Sequence, residues 1–143
     1  MPHATTISLI CLALATISYL ASLVLPAISL RDGGTIPGIV LFIYGPLGLA
    51  NFKEPRWLAN SFLFAGFVLS LGKSPVVFTI STGLLALGAA IAVSCLIVPV
   101  LWVTGDGSWV YERAFLSTGA YVWMAAHILA TLSAVFAYFG RQQ

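Results

Sequence analysis

Residues 45–60 read GPLGLANFKEPRWLAN, and how this stretch sits between its apolar neighbours decides the fold. It holds the helix-breaking pair Gly45-Pro46, a further Gly48, the amides Asn51 and Asn60, and the charged run Lys53-Glu54-x-Arg56. On its N-terminal side, Ile36–Asn51 is apolar but short, about 24 Å as a helix at 1.5 Å per residue. A hydrocarbon core is about 30 Å thick. Pro46 removes one N–H and frees the carbonyl four residues earlier, that of Phe42. Backbone broken at membrane depth persists only where protein or water satisfies it. Residues 36–51 therefore read as a short broken segment, re-entrant or interfacial. On the C-terminal side, Glu54-Pro55 suits a helix start with proline in its first turn. Arg56-Trp57 reads as an anchor at the membrane interface.

A membrane is implied by composition. The chain has 143 residues, 60% hydrophobic and 7% charged, with mean hydropathy +1.04. Soluble domains carry roughly 25% charged residues, so this chain lacks a polar surface for water all round. No Asp, Glu, Lys or Arg occurs before Arg31, between Lys73 and Asp106, or between Arg113 and Arg141. Uncharged runs of about 18 residues or more are transmembrane candidates. The net charge of +2 is too small and scattered for a nucleic-acid surface, so no nucleic acid is expected as a partner. Cys11 and Cys95 lie in apolar runs without metal-ligand spacing and read as inert small hydrophobes. The N-terminal run has neither the basic flank nor the small-residue cleavage site of a signal peptide.

Working outward, the spans fall at about 5–26, 57–72, 76–104 and 114–139. They give one transmembrane domain, 1–143, of all-α class: a four-helix bundle with the additional short broken helix between its first two spans. In the first span Ser8, Cys11, Ala15, Ser18 and Ser22 share one stripe, which lets a neighbouring backbone come close. Pro26 closes that span, and Arg31-Asp32-Gly33-Gly34 marks a turn. Ser74-Pro75 opens the third span, in which Ala86 and Ala90 form a small-xxx-small pair and Pro99 predicts a kink that frees the Cys95 carbonyl. The last span carries a ridge of Ala126, Ala130 and Ala134 beside a second row, Gly119, Trp123, His127 and Thr131. If 36–51 does not cross, Arg31, Lys53, Arg56 and Arg113 share one side, against Lys73 and Arg141 on the other. The positive-inside rule then places both termini outside.

Candidate chemistry is sparse. His127 is the ionisable side chain placed near the middle of a span, where proton relay, metal or haem ligation and interhelical hydrogen bonding all compete. His3, the other histidine, lies at the N-terminus, so no second axial ligand is at hand. The expected role is a neutral imidazole bonded to Ser94, Thr131 or a freed carbonyl. Asp32, Glu54, Asp106 and Glu112 fall in loops or at span edges, whereas a coupled transporter keeps a carboxylate within the membrane. Asn60 is placed to satisfy the carbonyls freed around Gly45-Pro46. The candidate structural or interaction positions are Gly45, Pro46, Gly48, Trp57, Asn60, Trp123 and His127. No catalytic, metal or cofactor set is visible, and none is expected.

Gly45-Pro46-Leu47-Gly48-Leu49, Trp57-Leu58-Ala59-Asn60 and Gly119-Ala120-Tyr121-Val122-Trp123 resemble a pattern in small bacterial four-helix inner-membrane proteins of unassigned function. Leu25-Pro26, closing the first span, belongs to the same pattern. Ser61 stands where that pattern would carry proline. The resemblance implies a bacterial inner membrane and four helices, and no activity. The expected role is an interaction protein, an accessory subunit or toxin-immunity type. Its partners would be the lipid bilayer and another membrane protein or a second copy. The alternatives are a small channel or transporter using the broken segment and His127, and then a membrane-embedded enzyme.

Overall fold

A computed structural model describes residues 2–30, 33–50, 55–72, 74–97, 100–103 and 109–141. Its helices are α1 (Pro2–Val24), α2 (Gly38–Ala50), α3 (Leu58–Ser70), α4 (Pro75–Val93) and α5 (Thr118–Arg141). Its strands are β1 (Pro26–Ser29), β2 (Thr35–Pro37), β3 (Val100–Val103) and β4 (Trp109–Leu116). Three segments are long and apolar enough to cross a membrane: Ala4–Val24, Pro75–Leu96 and Thr118–Gly140. The chain is thus a largely helical protein of membrane class. The fourth apolar helix, α3, has 13 residues.

The strands correct the all-α expectation. They form one antiparallel sheet in the order β2-β1-β4-β3. Pro26 ends α1 by removing a helical donor, and the chain turns into β1 instead of a plain loop. The turn to β2 is closed by Leu30 N–H donating to Gly34 O at 2.8 Å, with Gly33 at φ 86°, where glycine avoids a Cβ clash. Ile28 faces Ile36 across one pairing and Leu116 across the other. At 1% exposure it is among the most buried large side chains. The expected long spans shorten accordingly. The third yields to a 3-10 turn, Ser94–Leu96, and then β3; the last begins at Thr118 after β4. Pro99, with the kink expected there, lies outside the described residues. Short apolar runs rich in Val, Trp and Tyr fit helix and strand alike when read by periodicity.

Two antiparallel helix pairs make the bundle. In α1 and α5, Ser8 Oγ donates to Ser133 O and Ser133 Oγ to Ser8 O, each at 2.9 Å. One turn and more above, Ala15 packs with Leu85, Ala130 and Ala134. The small-residue stripe of α1 does face the bundle: Ser8, Ala15 and Ser22 are buried, Cys11 and Ser18 half-buried. Ala126, Ala130 and Ala134 are buried as the ridge of α5. Because lipid supplies no hydrophobic drive between helices, close backbone approach and these hydroxyl bonds hold the pair.

In α3 and α4, Gly72 lies near Val77, Gly66 against Ser81 and Leu85, and Ala59 near Gly88. Ser81, fully buried, donates to the Gly66 carbonyl at 2.6 Å. The packing face of α4 is therefore Ser81, Leu85, Gly88 and Ala92, while Ala86 and Ala90 are exposed. Their small-xxx-small pair points away from the bundle.

These pairings fix where α2 begins. It follows β2, so it starts at the sheet end, and Gly38 packs on the Ser22 carbonyl near the end of α1. The 3-10 turn Pro55–Trp57 leads from it into α3. The start of α3 lies beside the end of α4, which itself runs toward β3. The start of α2 and the 3-10 turn that opens α3 therefore sit at the same end of the bundle.

Candidate functional site

The polar groups singled out in sequence converge just below the sheet, where α1, α2, α3 and α5 meet. Gly45 and Pro46 lie inside α2, which continues through the proline as one helix. The Phe42 carbonyl that Pro46 leaves without its helical donor accepts from Trp57 Nε1–H at 3.1 Å. The Phe42 and Trp57 rings stand 6.4 Å apart, and Phe42 also meets Phe64 edge-on at 6.4 Å. Gly45 lies directly under the indole, so a Cβ there would fall within the Trp57 ring. Trp57 thus braces the broken segment. Sequence reasoning gave that task to Asn60 and gave Trp57 an interfacial anchoring role.

Asn60 braces something else. It is buried, and its Oδ1 accepts from Tyr19 Oη at 3.1 Å and from Trp123 Nε1 at 2.9 Å. One amide oxygen therefore ties α1, α3 and α5 together. A carbonyl oxygen has two lone pairs, so both donors are accommodated at once. Tyr19 was not singled out in sequence, although a signal was present. Ala15, Tyr19 and Ser22 lie at i, i+4 and i+7 on the buried stripe, and a phenol placed there must find a partner. Gly48 belongs to α2 and Glu112 to β4, but their surroundings lie outside what is described, and Asp32, Glu54 and Asp106 lie outside the described residues.

His127 sits one turn below Trp123 on α5 at 1% exposure. Its ring meets the Trp123 indole edge-on at 4.6 Å, with Tyr19 at 6.4 Å. Nδ1 is 3.0 Å from the Trp123 carbonyl, and Thr131 Oγ1 donates to the His127 carbonyl at 2.9 Å. The expected partners differ from these. Ser94 Oγ bonds within its own helix to Ile91 O, and Thr131 reaches the His127 backbone and not its ring. Nε2 has no hydrogen-bond partner among the described residues. A buried acceptor left unpaired costs about 1–3 kcal/mol.

Chemically, the cluster is a set of cross-helix braces with one buried imidazole beside them. Among the described residues no group of three or more His, Cys, Asp or Glu is placed to hold a metal ion. Among the described residues neither Cys11 nor Cys95 takes part in a disulfide. No family model, curated protein or solved structure matches the chain.

Proposed function

We propose that this chain is a four-span protein of the bacterial inner membrane that acts without catalysis, by binding another membrane protein as an accessory or toxin-immunity subunit. α1, α3, α4 and α5 cross, and α2 lies in the sheet-side leaflet without crossing. The observation that carries the reading is where the interior polar side chains are spent. Tyr19, Asn60, Trp57 and Trp123 are all engaged in bonds between elements, which makes a rigid scaffold and leaves its outer helical faces for lipid and partner. Those outer faces are apolar and large, with Leu9, Ile10, Ile17, Leu20 and Val24 of α1 all more than half exposed. The transporter reading draws its support from the proline inside α2 and from His127. It requires these braced groups to release one another during a cycle.

Affinity purification of the tagged full chain from native membranes in mild detergent tests the role. A partner recovered in fixed stoichiometry is the expected result; a lone homo-oligomer would count against it.

The topology has its own test. In the four-span arrangement, Thr35 and Ser74 lie on opposite sides of the membrane; with α2 crossing they lie on the same side. Both residues are exposed. Single cysteines at these positions, in a chain with Cys11 and Cys95 replaced by serine, should react with an impermeant maleimide from opposite faces of sealed cells. The charge count, with Arg31, Lys53, Arg56 and Arg113 together, places Thr35 inside and Ser74 outside.

A further inference from the structure

We propose that the lipid-facing belt of this protein is about 21–27 Å tall, so that the partner it fits is a thin bilayer of short acyl chains. The inference rests on the four-span reading, in which α3 crosses. The sheet sets one limit. Its order β2-β1-β4-β3 leaves β2 and β3 as the outer strands. An outer strand carries unpaired N–H and C=O groups along one edge, and such edges do not occur in lipid hydrocarbon. Hydrocarbon must therefore end where α1 gives way to Pro26 and where Leu116 leads into α5. Packing brings the helices level there. A Cβ at Gly119 would lie 2.8 Å from the Leu25 and Pro26 carbonyl oxygens, and Ala59, Ala92 and Ala120 share one cluster.

The opposite limit is marked as well. Helix α4 starts at Ser74-Pro75 without a side-chain cap, so the N–H groups of its first turn need water or headgroups. Gly72 approaches Val77, Phe78 stacks on Tyr138 at 6.3 Å, and a Cβ at Gly140 would lie 3.5 Å from Thr5 Oγ1. Those contacts make a second level. Tyr121 and Tyr138, both exposed, bracket α5 near the two levels, about 26 Å apart along the helix, as interfacial tyrosines do. On α1, exposed Thr6 and Val24 stand about 27 Å apart. On α3, Trp57 to Leu71 gives about 21 Å, and on α4, Val77 to Ala92 gives about 22 Å. Tilt can only shorten these heights, and the usual core is about 30 Å. A core of that height would have to cover Leu96, Ile97 and Phe115, which are exposed beyond the sheet-side level. Phe115 pairs with Ser29 within the sheet, so covering it would draw strand edges into hydrocarbon.

The test is reconstitution of the full chain in monounsaturated phosphatidylcholine bilayers with chains of about 14, 18 or 22 carbons. The melting temperature should be highest in the shortest lipid and about 5–10 °C lower in the longest, because mismatch costs accumulate over several ångströms. A second readout measures preference directly, in an equimolar mixture of the shortest and longest lipids. Bromine on the short chains should quench tryptophan fluorescence severalfold more than bromine on the long ones. A melting temperature that peaks at the middle or longest chain, or equal quenching by both lipids, would overturn the thin belt and leave the four spans standing. The four spans fail separately, when Thr35→Cys and Ser74→Cys label from the same side, and the α3 flank of the belt then fails with them.

Discussion

Replacing Asn60 with leucine is expected to destabilise the folded protein by about 1–3 kcal/mol, two orphaned donors being set against the weak net value of single bonds in bilayers. Leucine nearly preserves volume, so packing changes little and the loss is one of hydrogen bonding. Tyr19 Oη and Trp123 Nε1 would both lose their acceptor, at 3.1 and 2.9 Å respectively. Interhelical hydrogen bonds in bilayers average only about 0.6 kcal/mol by double-mutant cycles. An orphaned donor in a dry interior costs about 1–3 kcal/mol. The second effect should win here, because Asn60 is 6% exposed and one oxygen serves both donors. Thermal unfolding in detergent and in bilayers reads the size. The mechanism is read by a change of sign. Tyr19→Phe should destabilise the wild-type protein, but in the Asn60→Leu chain it should be neutral or stabilising, because it removes an orphan. If Tyr19→Phe costs the same in both backgrounds, the brace contributes nothing.

The same residues show what was readable without coordinates and what was not. The stripe Ser8–Ala15–Ser22 and the ridge Ala126–Ala130–Ala134 were legible because helical periodicity is local. Three-to-four spacing of small residues specifies a face before any partner is known. Which face of α4 turns inward was not legible, since two small-residue rows compete there and only tertiary packing chooses Gly88 and Ala92 over Ala86 and Ala90. The sheet was hidden for another reason. β1 with β2 and β3 with β4 are short apolar strands abutting apolar helices, and their register depends on β1 meeting β4 across most of the chain. Trp57 and Asn60 were both identified as important, yet the bracing of α2 expected of Asn60 falls to Trp57, while Asn60 ties α1, α3 and α5. The carbonyl freed by Pro46 was predictable from covalent geometry, but the donor that reaches it depends on how α2 folds back over the start of α3.

Gly45→Ala should then damage the fold more than a one-methyl change usually does, by about 2–3 kcal/mol when overpacking is added to one lost hydrogen bond. The added Cβ falls within the Trp57 indole. Relief requires the ring to move, and moving it breaks Trp57 Nε1–H to Phe42 O at 3.1 Å. The Phe42 carbonyl cannot fall back on its helix, because the residue four further on is Pro46, which has no N–H. α2 would then be released from the start of α3, and hydrogen exchange should accelerate through Ile39–Tyr44 while the Ser8–Ser133 region of α1 and α5 stays protected. Gly83→Ala is the matched control. Nothing lies within 4 Å of a Cβ at Gly83, so alanine there should stabilise α4 by up to about 1 kcal/mol through helix propensity. Trp57→Phe completes the cycle: the smaller ring makes room for the methyl and has already given up the N–H. The Gly45→Ala, Trp57→Phe double variant should therefore lose less than the two single losses added together. Strict additivity, or a Gly45→Ala melting curve like that of Gly83→Ala, would show that the indole does not hold α2 in place.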